Sequence, residues 1–286
     1  MKIMKFKASA VGLVTLLLAL SLVTPNSSIA QGALQKATVL EVQDGDTIDV
    51  RFEDGRREPI RYVGISAPEL DECFGPEAKG ANEQLVLQKE VWLDPETTDS
   101  VHVRLTKSGH LRLDPREVKD RDVRDNPSFS PVRYSEQIIA AQIAAAGQRL
   151  GWWGECDPYR SSDLAIAAIK FWGDEEIAYI VNRGNQPIDI GQGWEIRDST
   201  ESERNRLKFN TITGQPCLLP AGGLLRIHSG SGIKEEQRKT STPCNQSEID
   251  IYWTGNTIWD NDGDKARLFN PEGTLVYEYV YPPRGP

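Results

Sequence analysis

Histidine is scarce in this chain, with three in 286 residues, and methionine is scarcer still, with two. The four cysteines include no CxxC pair. Together these absences argue against a zinc site of the usual ligand spacing. Past residue 30 no stretch is apolar enough to cross a bilayer as a helix. A bulk positive field is also missing, since the formal net charge is −9. Proteins that hold nucleic acid usually present a basic groove, because phosphate neutralisation supplies most of the affinity. Local basic clusters do occur, at Arg51, Arg56, Arg57 and Arg61, and again at Arg112, Arg116, Lys119, Arg121 and Arg124. Acidic residues are mixed into each, so a solvated mixed-charge face is the simpler reading.

What is present begins with a distinctive leader. Lys2, Lys5 and Lys7 precede an apolar run from about Val11 to Val23, and Pro25 and two serines break it. Ser28-Ile29-Ala30 supplies small residues for cleavage, so residues 1–30 read as a secretory signal peptide. The run is short for a membrane span, which needs roughly 20 apolar residues. No cysteine stands at the cleavage point, so no lipid anchor is expected. Without the three leading lysines the net charge is about −12. The expected location is secreted or cell-envelope. There, Cys73, Cys156, Cys217 and Cys244 are candidates for disulfides, with three pairings possible. If the two halves of the chain are separate domains, Cys73–Cys156 and Cys217–Cys244 keep each bridge within one of them.

The chain past the leader predicts a mainly β fold with two helices. Residues 37–42, 47–52 and 59–65 read as three strands, joined by the Asp44-Gly45-Asp46 turn and an Glu53-Asp54-Gly55-Arg56 hairpin. Pro76 opens a helix running to about Lys89, and 91–94 reads as a fourth strand. Residues 102–106 and 111–113 read as a hairpin around Lys107-Ser108-Gly109, and 114–132 as a long charged loop. Tyr134, Ile138, Ile139, Ile143, Ala146 and Leu150 keep a helical stripe over about 132–152. Residues 159–163 read as a polar linker. Beyond it lie strand candidates at 164–171, 176–182, 194–197, 206–211, 223–228, 249–253, 265–270 and 274–280, separated by Gly/Pro turns. That texture predicts a sandwich.

Residues 37–156 resemble the thermonuclease, or staphylococcal-nuclease-like, family. The resemblance rests on Asp44-Gly45-Asp46-Thr47, on Ile60-Arg61-Tyr62-Val63-Gly64-Ile65-Ser66-Ala67-Pro68-Glu69, and on Cys73-Phe74-Gly75-Pro76-Glu77-Ala78. The close Leu150-Gly151-Trp152-Trp153-Gly154-Glu155-Cys156 resembles the end of exported members. The resemblance implies an OB-fold barrel at 31–158 that cleaves phosphodiesters of DNA or RNA with one Ca²⁺. By position it implies Asp46 as a metal ligand with Asp44 just behind it, Arg61 on phosphate, and Glu69 as general base. A hard cation wants carboxylate oxygens, and guanidinium matches phosphate charge. Ser66 stands where the family has a second aspartate ligand, which leaves the ion one charge short; Asp44 and Asp49 are the local candidates to replace it. The family's second arginine belongs to a D-(K/R)-Y-G-R motif that is missing here. The nearest string is Thr106-Lys107-Ser108-Gly109-His110, which would put His110 in that place, with Arg112 or Arg104 as substitutes. The loop at 114–132 would replace the family's middle helix. Plain alternatives stand beside each: a hairpin turn for Asp44–Asp46, a structural ion pair for Arg61 and Glu69, a cap for Ser66.

Residues 164–286 resemble the lamin-tail domain, a small immunoglobulin-like sandwich. The matching strings are Glu176–Asn182, Ile188–Asp198, Leu219–Gly223 and Ile258–Leu268. Asp260, Asp262 and Asp264 alternate, but Gly263 falls at the wrong position for an EF-hand loop, so a β-turn explains them better. This half shows no nucleophile–His–Asp set in sequence and reads as a binding or spacer module. Two functional readings follow. One is a secreted Ca²⁺-dependent nuclease. The other is a pair of binding modules on a nuclease fold, with nucleic acid, an envelope polymer or a protein as partner.

Overall fold

The computed structural model describes residues 35–93, 101–114, 135–200, 202–213, 216–239, 243–261 and 263–281. The expected signal peptide, the charged loop and Asp262 lie outside them. In the first half, β1 (Gln35–Val42), β2 (Thr47–Phe52) and β3 (Arg57–Arg61) form an antiparallel meander, and β5 (Glu90–Leu93) pairs with the other side of β1. Buried Ile48, Val50 and Phe52 alternate along β2 with more exposed residues, so one face meets the core. The sheet, ordered β3-β2-β1-β5, is open among the described residues. Beside it β4 (Ile65–Ser66) and β6 (Arg112–Leu113) form a separate antiparallel ladder.

The helix α1 (Gly75–Val86) starts as expected at the Gly75-Pro76 step. It stops earlier than expected because Leu87 turns extended and Gln88 takes a positive φ. The chain then folds back so that Gln88 and Lys89 bond Val39 in β1. The expected hairpin at 102–113 is wrong in its first arm: Val101–Lys107 is a helix, α2. Alternating Val103 and Leu105 suggest a strand, but Leu105 also stands one helical turn from Val101. Packing of α2 against the next helix decides between the two periods. A helix is therefore present upstream of the charged segment.

The closing helix divides into α3 (Ser135–Gly147) and the single turn α4 (Trp152–Glu155). Arg149 takes φ of 51° and Leu150 N bonds back to Ala145 O at 2.9 Å, which ends α3 in a left-handed cap. Two glycines make the crossing of α2 with this turn feasible. A Cβ on Gly109 would lie 2.2 Å from Leu150 O, and one on Gly151 2.7 Å from Gly109 O. The Cys73–Cys156 disulfide ties the approach to α1 to the end of α4.

The second half is a sandwich. One sheet contains β7 (Leu164–Lys170), β8 (Glu176–Asn182), β13 (Leu224–Ser229) and β14 (Glu248–Tyr252), with only the β13–β14 pair parallel. The other contains β10 (Glu195–Arg197), β11 (Arg206–Lys208), β15 (Asp264–Phe269) and β16 (Leu275–Tyr281). A short ladder joins β9 (Ile188–Asp189) to β12 (Leu218–Leu219), close to the Cys217–Cys244 disulfide. Both disulfides pair as the two-half reading required. The short helix α5 (Glu235–Lys239) and the β9–β12 ladder were not legible in sequence.

Residues 34–286 form one compact unit. A single apolar core runs from Val39 and Ile48 through Ile138 and Ala145 to Ile166, Ile180 and Leu268. β7 and β8 are buried along nearly their whole length, on both faces, because α3 packs against them. The run Leu164-Ala-Ile-Ala-Ala-Ile169 reflects this, since a strand covered on both sides loses its apolar–polar alternation. The expected linker is bonded in place. Arg183 and Asp157 form a fully buried ion pair at 2.9 Å, and the Tyr277 hydroxyl donates to the same Asp157 oxygen at 2.9 Å. Arg183 also donates to the carbonyls of Tyr159 and Ser162. Gln142 of α3 completes the junction. Its Oε1 accepts from Leu113 N at 2.6 Å, and its Nε2 donates to Ala167 O at 2.5 Å and the Tyr279 hydroxyl at 3.0 Å. Ala167 is the residue skipped in the β7–β8 register, so its carbonyl needs such a donor.

Candidate functional site

The Asp44-Gly45-Asp46-Thr47 turn enters β2. Asp44 Oδ1 accepts from the amides of Asp46 and Thr47, at 2.9 and 2.7 Å, and so shapes the turn. Gly45 is needed for contact: a Cβ there would lie 2.6 Å from Ala67 Cβ and 2.8 Å from Ala78 Cβ. The tight approach delivers Asp46 into the interior, where it is 1% exposed. Its Oδ1 lies 2.9 Å from Arg61 Nη1 and accepts from Thr47 Oγ1 at 2.9 Å; its Oδ2 accepts from Ala67 N at 2.7 Å. Arg61 faces it because β2 and β3 pair Thr47 with Arg61. Buried Asn82 of α1 braces the turn, donating to Asp44 O at 3.3 Å and accepting from the Tyr62 hydroxyl at 2.8 Å.

Burial pushes the Asp46 carboxyl up to about 7, against the Ala67 hydrogen bond and the Arg61 charge, which pull it down. Desolvation prevails because Arg61 is itself 42% exposed, so solvent screens its charge.

Glu69 and Ser66 follow on the same segment. Glu69 N donates to Glu72 Oε2 and Glu72 N to Glu69 O, both at 2.9 Å, which makes a closed turn. Gly75 packs on that turn so closely that a Cβ would sit 1.8 Å from Glu69 O. The Glu69 side chain is half-exposed, and Ser66 Oγ approaches the carbonyl of Ala67 at 3.4 Å. Asp49 accepts from Gln43 Nε2 at 2.9 Å on the outer side of the meander. The structure thus gathers Asp44, Asp46 and Arg61 with the Ala67 amide, while Ser66 and Glu69 flank Ala67 along the chain. Among the described residues no three His, Cys, Asp or Glu side chains gather as a metal cluster. A calcium ion does not fit this donor set as it stands, because the one buried carboxylate already faces the Arg61 guanidinium and Ser66 adds no second negative charge.

His110 needs correction. Its proposed alignment assumed a hairpin, whereas it follows the C-terminus of α2. Its Nδ1 lies 2.7 Å from Ser108 Oγ, and its ring is 5.2 Å from that of Phe74. Burial lowers its pKa, so the ring is neutral at pH 7 and offers phosphate no charge. Arg112 is also engaged elsewhere, its guanidinium 4.4 Å from the Trp152 ring centre.

The second half presents two layers of β-strand around Ile166, Ile180, Ile227, Ala266 and Leu268. Residues 158–283 match the family model of the Lamin Tail Domain. The lamin-tail portion therefore begins at the buried Asp157–Arg183 lock rather than past it. In a separate comparison, the chain is similar to Protein ParB of Escherichia coli, at 27% identity over 130 residues, which covers 42% of this chain and 73% of that protein. Within the lamin-tail sandwich a charged cluster escaped sequence reading. His228 lies between Glu175 Oε1, 2.8 Å from its Nδ1, and Asp250 Oδ1, 2.9 Å from its Nε2. Arg226 clamps Asp250 with two bonds of 2.6 and 3.0 Å and holds the Asp250 carboxyl below its ordinary pKa. The one available signal was the spacing of Arg226 and His228 on a strand, but their partners lie 22 to 53 residues away.

Proposed function

We propose that residues 31–158 are an OB-type, nuclease-like domain fused to the lamin-tail domain in an exported protein. On this reading it acts as a pair of binding modules in which phosphodiester cleavage has been lost. The observation that carries the reading is the closure of Asp46. Arg61 stands 2.9 Å from its Oδ1, so the group implied as metal ligand already has a cation for a partner from within the chain. Ser66 adds no second charge, and the sequence lacks the D-(K/R)-Y-G-R motif that would supply a second arginine. Two disulfides support export, because such bonds persist in oxidising compartments. The acidic balance favours an envelope polymer or a protein over nucleic acid as the partner.

A second reading, a residual Ca²⁺-dependent nuclease, is favoured by the contact of Asp46 with Arg61 and by the presence of Glu69 two residues beyond Ala67, whose amide bonds Asp46. Digestion of plasmid and single-stranded substrates by residues 31–286, with calcium and with chelator, separates the two. No cutting by concentrated protein is the expected result. Calcium-dependent cutting that disappears in Glu69→Gln overturns the binding-module reading.

A further inference from the structure

One corner of the sandwich, where the end of β10 meets the start of β15, has more acceptor oxygen than donor hydrogen. Asp198 is 1% exposed and Asp264 is 6% exposed. Asp264 Oδ1 accepts from the amides of Ser199 and Lys265, at 3.2 and 2.7 Å. Its other oxygen, Oδ2, is buried with no donor. The Asp198 carboxylate accepts from Thr200 N at 3.0 Å, Thr200 Oγ1 at 2.8 Å and Asn205 Nδ2 at 2.6 Å. That last bond fixes the Asn205 amide. Turned the other way, it would set its oxygen against a carboxylate. With the nitrogen anchored, Asn205 Oδ1 is also buried without a donor. No other buried side-chain oxygen among the described residues is left without a donor. The two stranded acceptors thus both belong to this one corner, joined through the Ser199 and Asp198 hydrogen bonds.

The surroundings are anionic. The Tyr281 hydroxyl donates to Asp260 O at 3.1 Å. Burial and the charges of Asp264, Glu176, Asp260 and Asp198 raise its pKa. Arg267 Nη2 donates to the Ser199 carbonyl at 3.0 Å. A buried oxygen without a donor is costly, and a hard cation satisfies several such oxygens at once.

We propose that Asp264 Oδ2, Asn205 Oδ1 and the Asp198 carboxylate hold a divalent cation of the calcium class, with water completing its shell. Two carboxylates and an amide oxygen are fewer charges than a high-affinity loop supplies. Affinity in the range of about 0.1–1 mM, as in extracellular modules, is therefore expected. The site stands in the lamin-tail half and does not depend on the chemistry of the Asp46 turn.

The test is calorimetric titration of the full chain, freed of metal by chelation, with calcium chloride, alongside thermal unfolding with and without the ion. One saturable site and a higher Tm in calcium are expected, since binding to the folded state stabilises it. Asp264→Asn and Asn205→Ala each weaken binding by about tenfold or more, while Asp46→Asn binds as the unaltered protein does. Should Asp264→Asn fail to fold, Asn205→Ala decides on its own. No saturable binding up to about 10 mM calcium, well above the expected range, overturns the proposal and leaves water or a proton at the corner. Binding that survives both sandwich substitutions, or is lost only in Asp46→Asn, overturns it equally.

Discussion

Replacing Gln142 by leucine tests whether the two halves are one cooperative structure. Gln142 is 0% exposed and serves three groups from three elements: Leu113 N of β6, Ala167 O of β7 and the Tyr279 hydroxyl of β16. Leucine fills a similar volume but offers none of them a partner. Each buried group left unsatisfied costs about 1–3 kcal/mol. Leucine's greater apolarity and local relaxation recover part of that. A net loss of about 3–6 kcal/mol is expected, a large share of the ~5–15 kcal/mol that stabilises a typical domain. The assay is urea unfolding, followed by tryptophan fluorescence for tertiary packing and by far-ultraviolet circular dichroism for the strands. With a continuous core, the unaltered protein should show one coincident transition, and Gln142→Leu should move its midpoint down without changing its slope. A variant within about 1 kcal/mol of the parent, smaller than one lost buried partner, refutes the reasoning. So does a parent that unfolds in two separate steps.

Three other outcomes follow from the same structure. The Asp46 carboxyl titrates near 7 when folded and near 3.8 as the ordinary value. The folded state therefore keeps a proton that the unfolded chain releases, and stability is highest below the lower value. It falls as pH rises between the two, by up to about 1.4 kcal/mol per unit, and levels above. The stability difference between parent and Asp46→Asn, measured from pH 4 to 8, should show that slope; a flat difference contradicts it. Gly45→Ala drives a methyl against Ala67 and Ala78 and should destabilise by about 1–3 kcal/mol, read as a lower Tm. Cys73→Ser with Cys156→Ser opens a loop spanning 83 residues. It should lose about 2–5 kcal/mol in denaturant titration, and unchanged stability would mean that the helices alone hold that end.

What could be read from the residues, and what could not, follows the range of the interactions. The Asp44–Thr47 turn is local, made by one carboxylate and the next three residues, so its sequence carries it in full. The sandwich strands were legible for the same reason: Gly/Pro turns bound them closely. α2 was not legible, because its apolar residues satisfy two periods and the choice lies in packing on α3. Gln142 reads as one polar residue in an apolar helix, and nothing nearby indicates that its partners are 25 and 137 residues away. The closure of Asp46 by Arg61 depends on strand register, which a list of family-like residues does not specify. Asp264 reaches Ser199, the residue after Asp198, only because β10 and β15 are neighbours in a sheet.

Strands β7 and β8 have no bare side left. Cutting the gene between the halves would turn that roofed surface into a sticky one, and would strand Arg183 beside an absent aspartate. The boundary visible in composition is therefore no longer a seam in the object. A lesion in either half is therefore carried into the other through the core they share.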